Sequence, residues 1–361
     1  MVAIAELQGD DHDMAAQESV WADVTPVPQV DGPEPLCPIM YDPDYTKAMD
    51  LFRALKQMRP NGVEASERAL ALTEHLIYLN PANYSVWQYR AQVLLEMAAS
   101  DASHQRLRDE LDFMDEFAQG NMKNYQIWQH RRVIVSVLGD PSRELAFTST
   151  VLDLDSKNYH TWAYRQWVLA HFGGLHKHDN KVEAPGAGAF PALWDGELAY
   201  VDNMLEADVR NNSAYNHRWF CVWGRLLEGR IVPPELEAKR QEEIDYALNK
   251  IAVAPNNASP WNYLRGVCTA LTPRVPMHTI DGRVLSYIPQ PDHERAAQQP
   301  EVDEAGKTPA HALEWLLDSA AERIKAGDAT LRPTCSALLA RLAHADPART
   351  KYWQFRQAAL P

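Results

Sequence analysis

Asn124-Tyr125-Gln126-Ile127-Trp128-Gln129-His130-Arg131 is the stretch on which the fold turns, because the same phrase returns along the chain. Upstream stands Asn83-Tyr84-Ser85-Val86-Trp87-Gln88-Tyr89-Arg90, and downstream Asn158-Tyr159-His160-Thr161-Trp162-Ala163-Tyr164-Arg165. Looser copies run from Asn211 to Arg218 and from Asn257 to Arg265, with a last echo at Tyr352–Arg356. The aromatic positions Trp87, Trp128, Trp162, Tyr215 and Trp261 lie 41, 34, 53 and 46 residues apart, spacings near those of helical repeats. One such unit cannot bury its apolar face alone, so neighbours stack. The chain reads as an all-α solenoid of helical hairpins.

The unit begins upstream of the phrase. Fourteen residues before each Asn stand Ala69, Glu110, Glu144, Glu197 and Glu243. Three residues beyond those come Leu72, Phe113, Phe147, Tyr200 and Tyr246. Apolar residues continue at helical spacing, as in Leu145, Val151, Leu152 and Leu154, which predicts an amphipathic first helix. After a short turn the Asn is an N-cap, its side chain accepting from an orphan backbone N–H. The second helix then carries Trp on its inner face and Arg one turn later.

Composition narrows the function classes. A chain of 361 residues exceeds the usual single core, but a solenoid grows by addition and reads as one elongated domain. No apolar run reaches the roughly 20 residues of a membrane span, so no membrane insertion is expected. The N-terminus is acidic at Asp10, Asp11 and Asp13 and lacks a signal pattern. A net charge of −14 argues against a nucleic-acid or anionic-membrane surface. Cys37, Cys221, Cys268 and Cys335 stand far apart and read as buried thiols in a reducing compartment. The expected address is the cytosol.

Residues 1–43 are expected to be a disordered and then Pro-rich extended arm, followed by a repeat domain over 44–361. Two insertions are expected within it. One, at about 173–194, is a Gly-containing loop that lengthens the third gap; the other, over 272–309, is rich in Pro and charge.

Catalytic machinery is nearly missing from the sequence. There is no phosphate-cradling Gly loop, no Gly-x-Ser-x-Gly and no His-Glu-x-x-His. His171, His176 and His178 cluster at a loop and read as solvated, since a metal would need further ligands. Cations do precede the caps in three successive repeats, at Lys123, Lys157 and Arg210. A helix start carries unpaired N–H groups and partial positive charge, so this edge would suit an anion such as phosphate; the plainer reading is solvated turn residues. The phrase Arg has two readings as scaffold. It stacks on the Trp one turn earlier, or it meets the Glu opening the next repeat: Arg90 with Glu110, Arg131 with Glu144, Arg165 with Glu197, Arg218 with Glu243. The second explains why the first repeat can have Ala69.

The phrase Asn-Tyr-x-x-Trp-x-x-Arg resembles the prenyltransferase α-subunit repeat. The likeness is specific in Lys123–Arg132, in Lys157–Trp167 and in Tyr200–Asn212. The run Trp21–Pro33 also resembles the α subunit that protein farnesyltransferase and type I geranylgeranyltransferase share. The resemblance covers roughly residues 20–270. It implies a right-handed α-α superhelix, crescent-shaped, wrapped around a β subunit in an obligate heterodimer. It further implies transfer of farnesyl or geranylgeranyl from its diphosphate to the Cys of a C-terminal Cys-a-a-X (CaaX) protein tail. Zinc would be held by the β subunit, with magnesium beside the diphosphate, and no metal ligand would come from this chain. By resemblance Lys123 is the catalytic diphosphate contact, and Tyr125 and Gln126 lie near the substrates, Gln126 toward the tail carboxylate. Tyr159 and His160 line the isoprenoid diphosphate region, with Lys157 and Arg210 as secondary candidates. Tyr215 departs from the usual Trp. The competing reading is a non-enzymatic helical-repeat scaffold that binds a partner protein in its groove.

Overall fold

The computed structural model describes residues 20–101, 103–175, 185–225, 233–269, 272–288 and 308–360. Among them every regular element is helical. The chain divides into two units, residues 1–195 and 196–361.

In the first unit α1 (Pro43–Met58) packs on α2 (Glu67–Leu79), and α2 forms a hairpin with α3 (Tyr84–Ala98). The hairpin recurs as α4 (Gln105–Asn121) with α5 (Tyr125–Leu138), and as α6 (Glu144–Leu154) with α7 (Tyr159–Phe172). The second helices α3, α5 and α7 lie side by side in one layer, and α4 packs on α6 in the other. In the second unit α8 (Glu197–Ala207) pairs with α9 (Asn212–Arg225), and α10 (Pro233–Val253) with α11 (Ala258–Thr269); α9 packs on α11. The short α12 (Asp281–Leu285) rests on α13 (Ala310–Lys325), which pairs with α14 (Arg332–Ala345), and α15 (Thr350–Ala358) closes the unit.

Each residue type of the repeated phrase has a job in this stacking. The Asn124 carboxamide oxygen accepts from the N–H groups of Gln126 (2.8 Å) and Ile127 (3.2 Å) and so starts α5. Its Nδ2 donates to the Pro81 carbonyl at 2.7 Å, tying α5 to the turn of the preceding hairpin. Asn158 accepts from Thr161 N (3.1 Å) and donates to Met122 O (3.3 Å) in the same way. Asn83 is the exception: it makes no side-chain cap and donates instead to the Tyr45 hydroxyl at 3.2 Å. The indole N–H pins the turn of its own hairpin. Trp87 donates to Pro81 O (2.9 Å), Trp128 to Met122 O (3.0 Å), Trp162 to Ser156 O (3.0 Å) and Trp261 to Pro255 O (2.8 Å). Around these sit Leu76, Val93, Leu111, Met114, Ile134 and Val151, all buried. Each such side chain contributes about 1.5–3 kcal/mol by leaving water.

The phrase Arg takes the inter-repeat reading at Arg90, Arg131 and Arg218. Arg131 bridges Glu144 with two bonds, Nε to Oε2 at 2.7 Å and Nη2 to Oε1 at 2.9 Å. Arg90 does so with Glu110 (2.8 and 2.7 Å), and Arg218 with Glu243 (2.7 and 2.9 Å). The guanidinium also stacks, but not on the Trp of its own helix. Arg90 lies over Phe113, Arg131 over Phe147 and Arg218 over Tyr246, each three residues beyond the paired Glu.

A further position was not singled out by sequence. The ring just before the Arg completes the cluster: His130 Nε2 meets Glu110 at 2.8 Å, and the Tyr164 hydroxyl donates to Glu144 at 2.6 Å. His217 meets Glu197 at 2.6 Å, and Tyr263 donates to Glu243 at 2.7 Å. Two residue types serve one role because both present a polar atom at the same reach. Burial pushes the Glu110 carboxyl up, but the charge of Arg90 and the His130 hydrogen bond outweigh it and leave the group below its ordinary range.

Residues 1–19 of the expected disordered arm lie outside the described residues, as do 176–184 and 289–307 within the expected insertions. Residues 185–194 fold back on α7: Gly188 N donates to His171 O (2.9 Å) and Phe190 N to Phe172 O (2.9 Å). A Cβ on Gly139 would stand 2.8 Å from that of Pro185, so α5 ends where this segment crosses it closely. Residues 277–285 are helical, and Met277, Ile280 and Val284 are buried. Asp281 there accepts from Trp315 Nε1 (3.2 Å) and Ser319 Oγ (2.7 Å) on α13. Of the four thiols expected to be buried, Cys221, Cys268 and Cys335 are; Cys37 is exposed, on a stretch before α1 whose side chains stand in water.

Candidate functional site

The starts of α5 and α7 come together because the second helices of adjacent hairpins share a layer. The Asn158 side chain reaches the Met122 carbonyl, one residue before Lys123. Asp155 completes the link, a role the sequence did not disclose. Its Oδ1 accepts from the Lys157 backbone N–H at 3.3 Å, and its Oδ2 stands 3.8 Å from Lys123 Nζ. Lys123 and Lys157 are both exposed and flank this one carboxylate. Arg210 belongs to the second unit, where its N–H donates to Asp208 Oδ1 at 2.8 Å.

The first helical turns supply the rest. Tyr125 packs edge-on against His160 with ring centroids 4.3 Å apart, and Tyr159 meets the same imidazole at 5.4 Å. Tyr84, Tyr125 and Tyr159, the first residues of three second helices, are 72%, 71% and 73% exposed. Aromatic rings kept in water at three successive copies of one position form a surface feature rather than core. Gln126 donates from Nε2 to the Ala82 carbonyl at 3.2 Å, which leaves the second amide N–H for another acceptor. His160 is half-buried, and burial holds its imidazole below the ordinary value, toward the neutral form. Lys123, Tyr125, Gln126, Tyr159 and His160 thus lie along one edge, where helix starts and an ammonium favour negative charge.

The described residues hold a single group whose atoms could meet on a metal: Glu197, His217 and Cys221, all buried. They do not fit a catalytic ion. Glu197 and His217 already share a 2.6 Å bond whose counterparts recur in other hairpins, made there by His130, Tyr164 and Tyr263. Cys221 occupies the position four residues later that is Ile134, Val168 and Val267 elsewhere, an apolar core site. His171 stacks on Trp167 at 5.3 Å, and His176 and His178 lie outside the described residues.

A family model for the protein prenyltransferase alpha subunit repeat matches residues 66–97, 107–138, 141–172, 194–223 and 240–271. Those five segments coincide with the five hairpins, so the class is that of prenyltransferase α-subunit repeat proteins. The chain is 39% identical over 356 residues to the protein farnesyltransferase/geranylgeranyltransferase type-1 subunit alpha of Solanum lycopersicum, covering 94% of this chain and 89% of that one. It is 33% identical to the subunit of the same name from Pisum sativum, over 100% of this chain and 99% of the relative. Among solved structures, a chain of Candida albicans protein geranylgeranyltransferase-I complexed with GGPP superposes with a TM-score of 0.73 at 28% identity, covering 94% and 98%. The chain belongs to the family of α subunits of protein farnesyltransferase and geranylgeranyltransferase type 1. Nothing in these comparisons supports a non-enzymatic scaffold.

Proposed function

We propose that this chain is the α subunit of a two-chain protein prenyltransferase, active only with its β subunit. The enzyme moves a farnesyl or geranylgeranyl group from its diphosphate to the cysteine of a C-terminal CaaX tail. One observation carries the residue assignment: the edge that family resemblance marks for substrates is the edge where Lys123, Tyr125, Gln126, Tyr159 and His160 converge. In the reaction the cysteine sulfur bonds to C1 of the isoprenoid while the C1–O bond breaks, and diphosphate departs with the electron pair. Negative charge grows on that leaving group. The Lys123 ammonium and the start of α5 stabilise that growing charge, an interaction stronger in the transition state than in the ground state. Tyr125, Tyr159 and neutral His160 line the diphosphate end of the isoprenoid site. The free amide N–H of Gln126 donates to the tail carboxylate.

Zinc, which makes a cysteine thiol a thiolate, is assigned to the β subunit on the family resemblance. Magnesium is assigned to the diphosphate. No described helix is long and apolar enough to cross a membrane, and the assigned location is the cytoplasm. Co-expression with each candidate β subunit, then transfer assays to a CaaX peptide from both diphosphates, tests the reading. Transfer that requires both chains is expected. Heterodimers that bind isoprenoid diphosphate yet prenylate no peptide would overturn it.

A further inference from the structure

Residues 28–41 form a strap that the first unit fastens at both ends and leaves bare between. At its start Trp21 and Val24 are buried, and the Arg68 guanidinium lies 5.3 Å over the Trp21 ring while donating to the Val20 carbonyl. Val27 N donates to Asp50 O at 3.0 Å, and Arg53 Nε donates to Val27 O at 2.8 Å. At its far end Asp42 caps α1, and Tyr41 packs on Tyr45 with ring centroids 5.5 Å apart. Between these anchors Val30, Leu36, Ile39 and Met40 are 86%, 104%, 61% and 94% exposed. The hydrogen bonds along the stretch stay within it, from Gln29 to Asp31 and from Tyr41 N to Ile39 O. Pro28, Pro33, Pro35 and Pro38 stiffen it, so little chain entropy remains to be lost on docking. A pinned, stiff segment that turns its apolar side chains to water is built for a second surface.

The far end of the strap is joined to the substrate edge through Tyr41 and Tyr45. The Tyr45 hydroxyl accepts from Asn80 (3.1 Å) and from Asn83 (3.2 Å), the residue before exposed Tyr84. From that turn Asn124 and Gln126 reach Pro81 and Ala82, which carries the surface to α5. The charges along it are of one sign: Asp31, Glu34, Asp42 and Asp44 occur, with no Lys or Arg between residues 24 and 46. We propose that Val30–Tyr41 is a docking strap for the partner subunit, seated in an apolar groove with a basic rim on that chain. The proposal rests on the two-chain reading above and deepens it.

The test uses the full chain. Val30, Leu36, Ile39 and Met40 are replaced together by Ser, and this variant competes with tagged wild type for a limiting amount of β subunit. The four side chains already stand in water, so the variant's own thermal unfolding is expected to be unchanged. Wild type is expected to win by about 100-fold or more, as when several central interface anchors are truncated. The turnover of those variant heterodimers that do form is expected to match wild type. Equal incorporation into active heterodimers overturns the strap proposal alone. So does equal incorporation with a loss of vesicle binding or of self-association, which assigns the strap to a membrane or to a second copy. Wild-type heterodimers that assemble without prenylating a peptide sink the catalytic reading, while the competition still reports on the strap.

Discussion

Lys123 reaches past its helix cap into water, and the one described carboxylate within reach of its ammonium is Asp155. That makes its contribution electrostatic and separable. Lys123→Ala is expected to lower the single-turnover rate on the order of 10–10³-fold, with a smaller loss of isoprenoid diphosphate affinity. Lys157→Ala should cost less, because its repeat contributes Tyr159 and His160. An unchanged single-turnover rate in Lys123→Ala returns the residue to the solvated turn. Asp155→Asn tests the other side of the pair. It removes a negative charge beside the site and should tighten diphosphate binding by up to about five-fold, the scale of an exposed ion pair. Weaker binding would show that Asp155 matters by holding the turn at Lys157. His160 adds a pH signature. Burial depresses its imidazole from the ordinary 6.5, so its titration should centre below that pH. A ring-proton titration centred above 6.5 would contradict this.

At the scale of the helix pair, the repeating unit is a guanidinium clamped between hairpins. Arg131 and Glu144 are fully buried, and Asp115 adds a bond at 2.6 Å from the rim. Such a pair adds little over well-packed apolar residues, but losing one partner strands a charge and costs about 3–5 kcal/mol. Arg131→Leu is therefore expected to destabilise the first unit by that amount in a denaturant melt, and Arg131→Leu/Glu144→Leu by less. A double variant as unstable as the two single losses summed would refute the clamp account. Glu110 provides the pH test. Its folded carboxyl lies below the ordinary 4.5, so its contribution is complete above that value and is lost as pH falls through the folded one. Glu110→Gln should flatten the acid limb of the stability profile below about pH 4.5 and leave the limb above pH 7 unchanged.

Over the whole molecule, Tyr84, Tyr125 and Tyr159 stand exposed at three successive helix starts, and the far end of the strap reaches the first of them through Tyr41, Tyr45 and Asn83. Assembly with a β subunit should cover them within an interface above ~2,000 Å² in total, the size of obligate complexes. Hydrogen exchange at the starts of α3, α5 and α7 is expected to slow on assembly, and the chain expressed alone should melt lower than the heterodimer. Unprotected helix starts in an active heterodimer would move the interface elsewhere.

The recurring phrase by itself determined the helical hairpins, the helix starts at Asn124 and Asn158, and the Lys123 edge. Caps and amphipathic periods depend on atoms a few residues away, so the linear order already contains their partners. The Arg–Glu register was legible too, through the fixed spacing and the lone Ala69. What only tertiary structure decided is how each Arg is enclosed. It lies on Phe147 or Tyr246 of the next hairpin rather than on its own Trp, with His130 or Tyr164 completing the cluster. The same holds for the helical packing of 277–285, the exposure of Cys37 and the part played by Asp155. Each depends on which surfaces meet when hairpins stack. That is settled by packing between residues distant in the chain, where burial and close approach outweigh local preference.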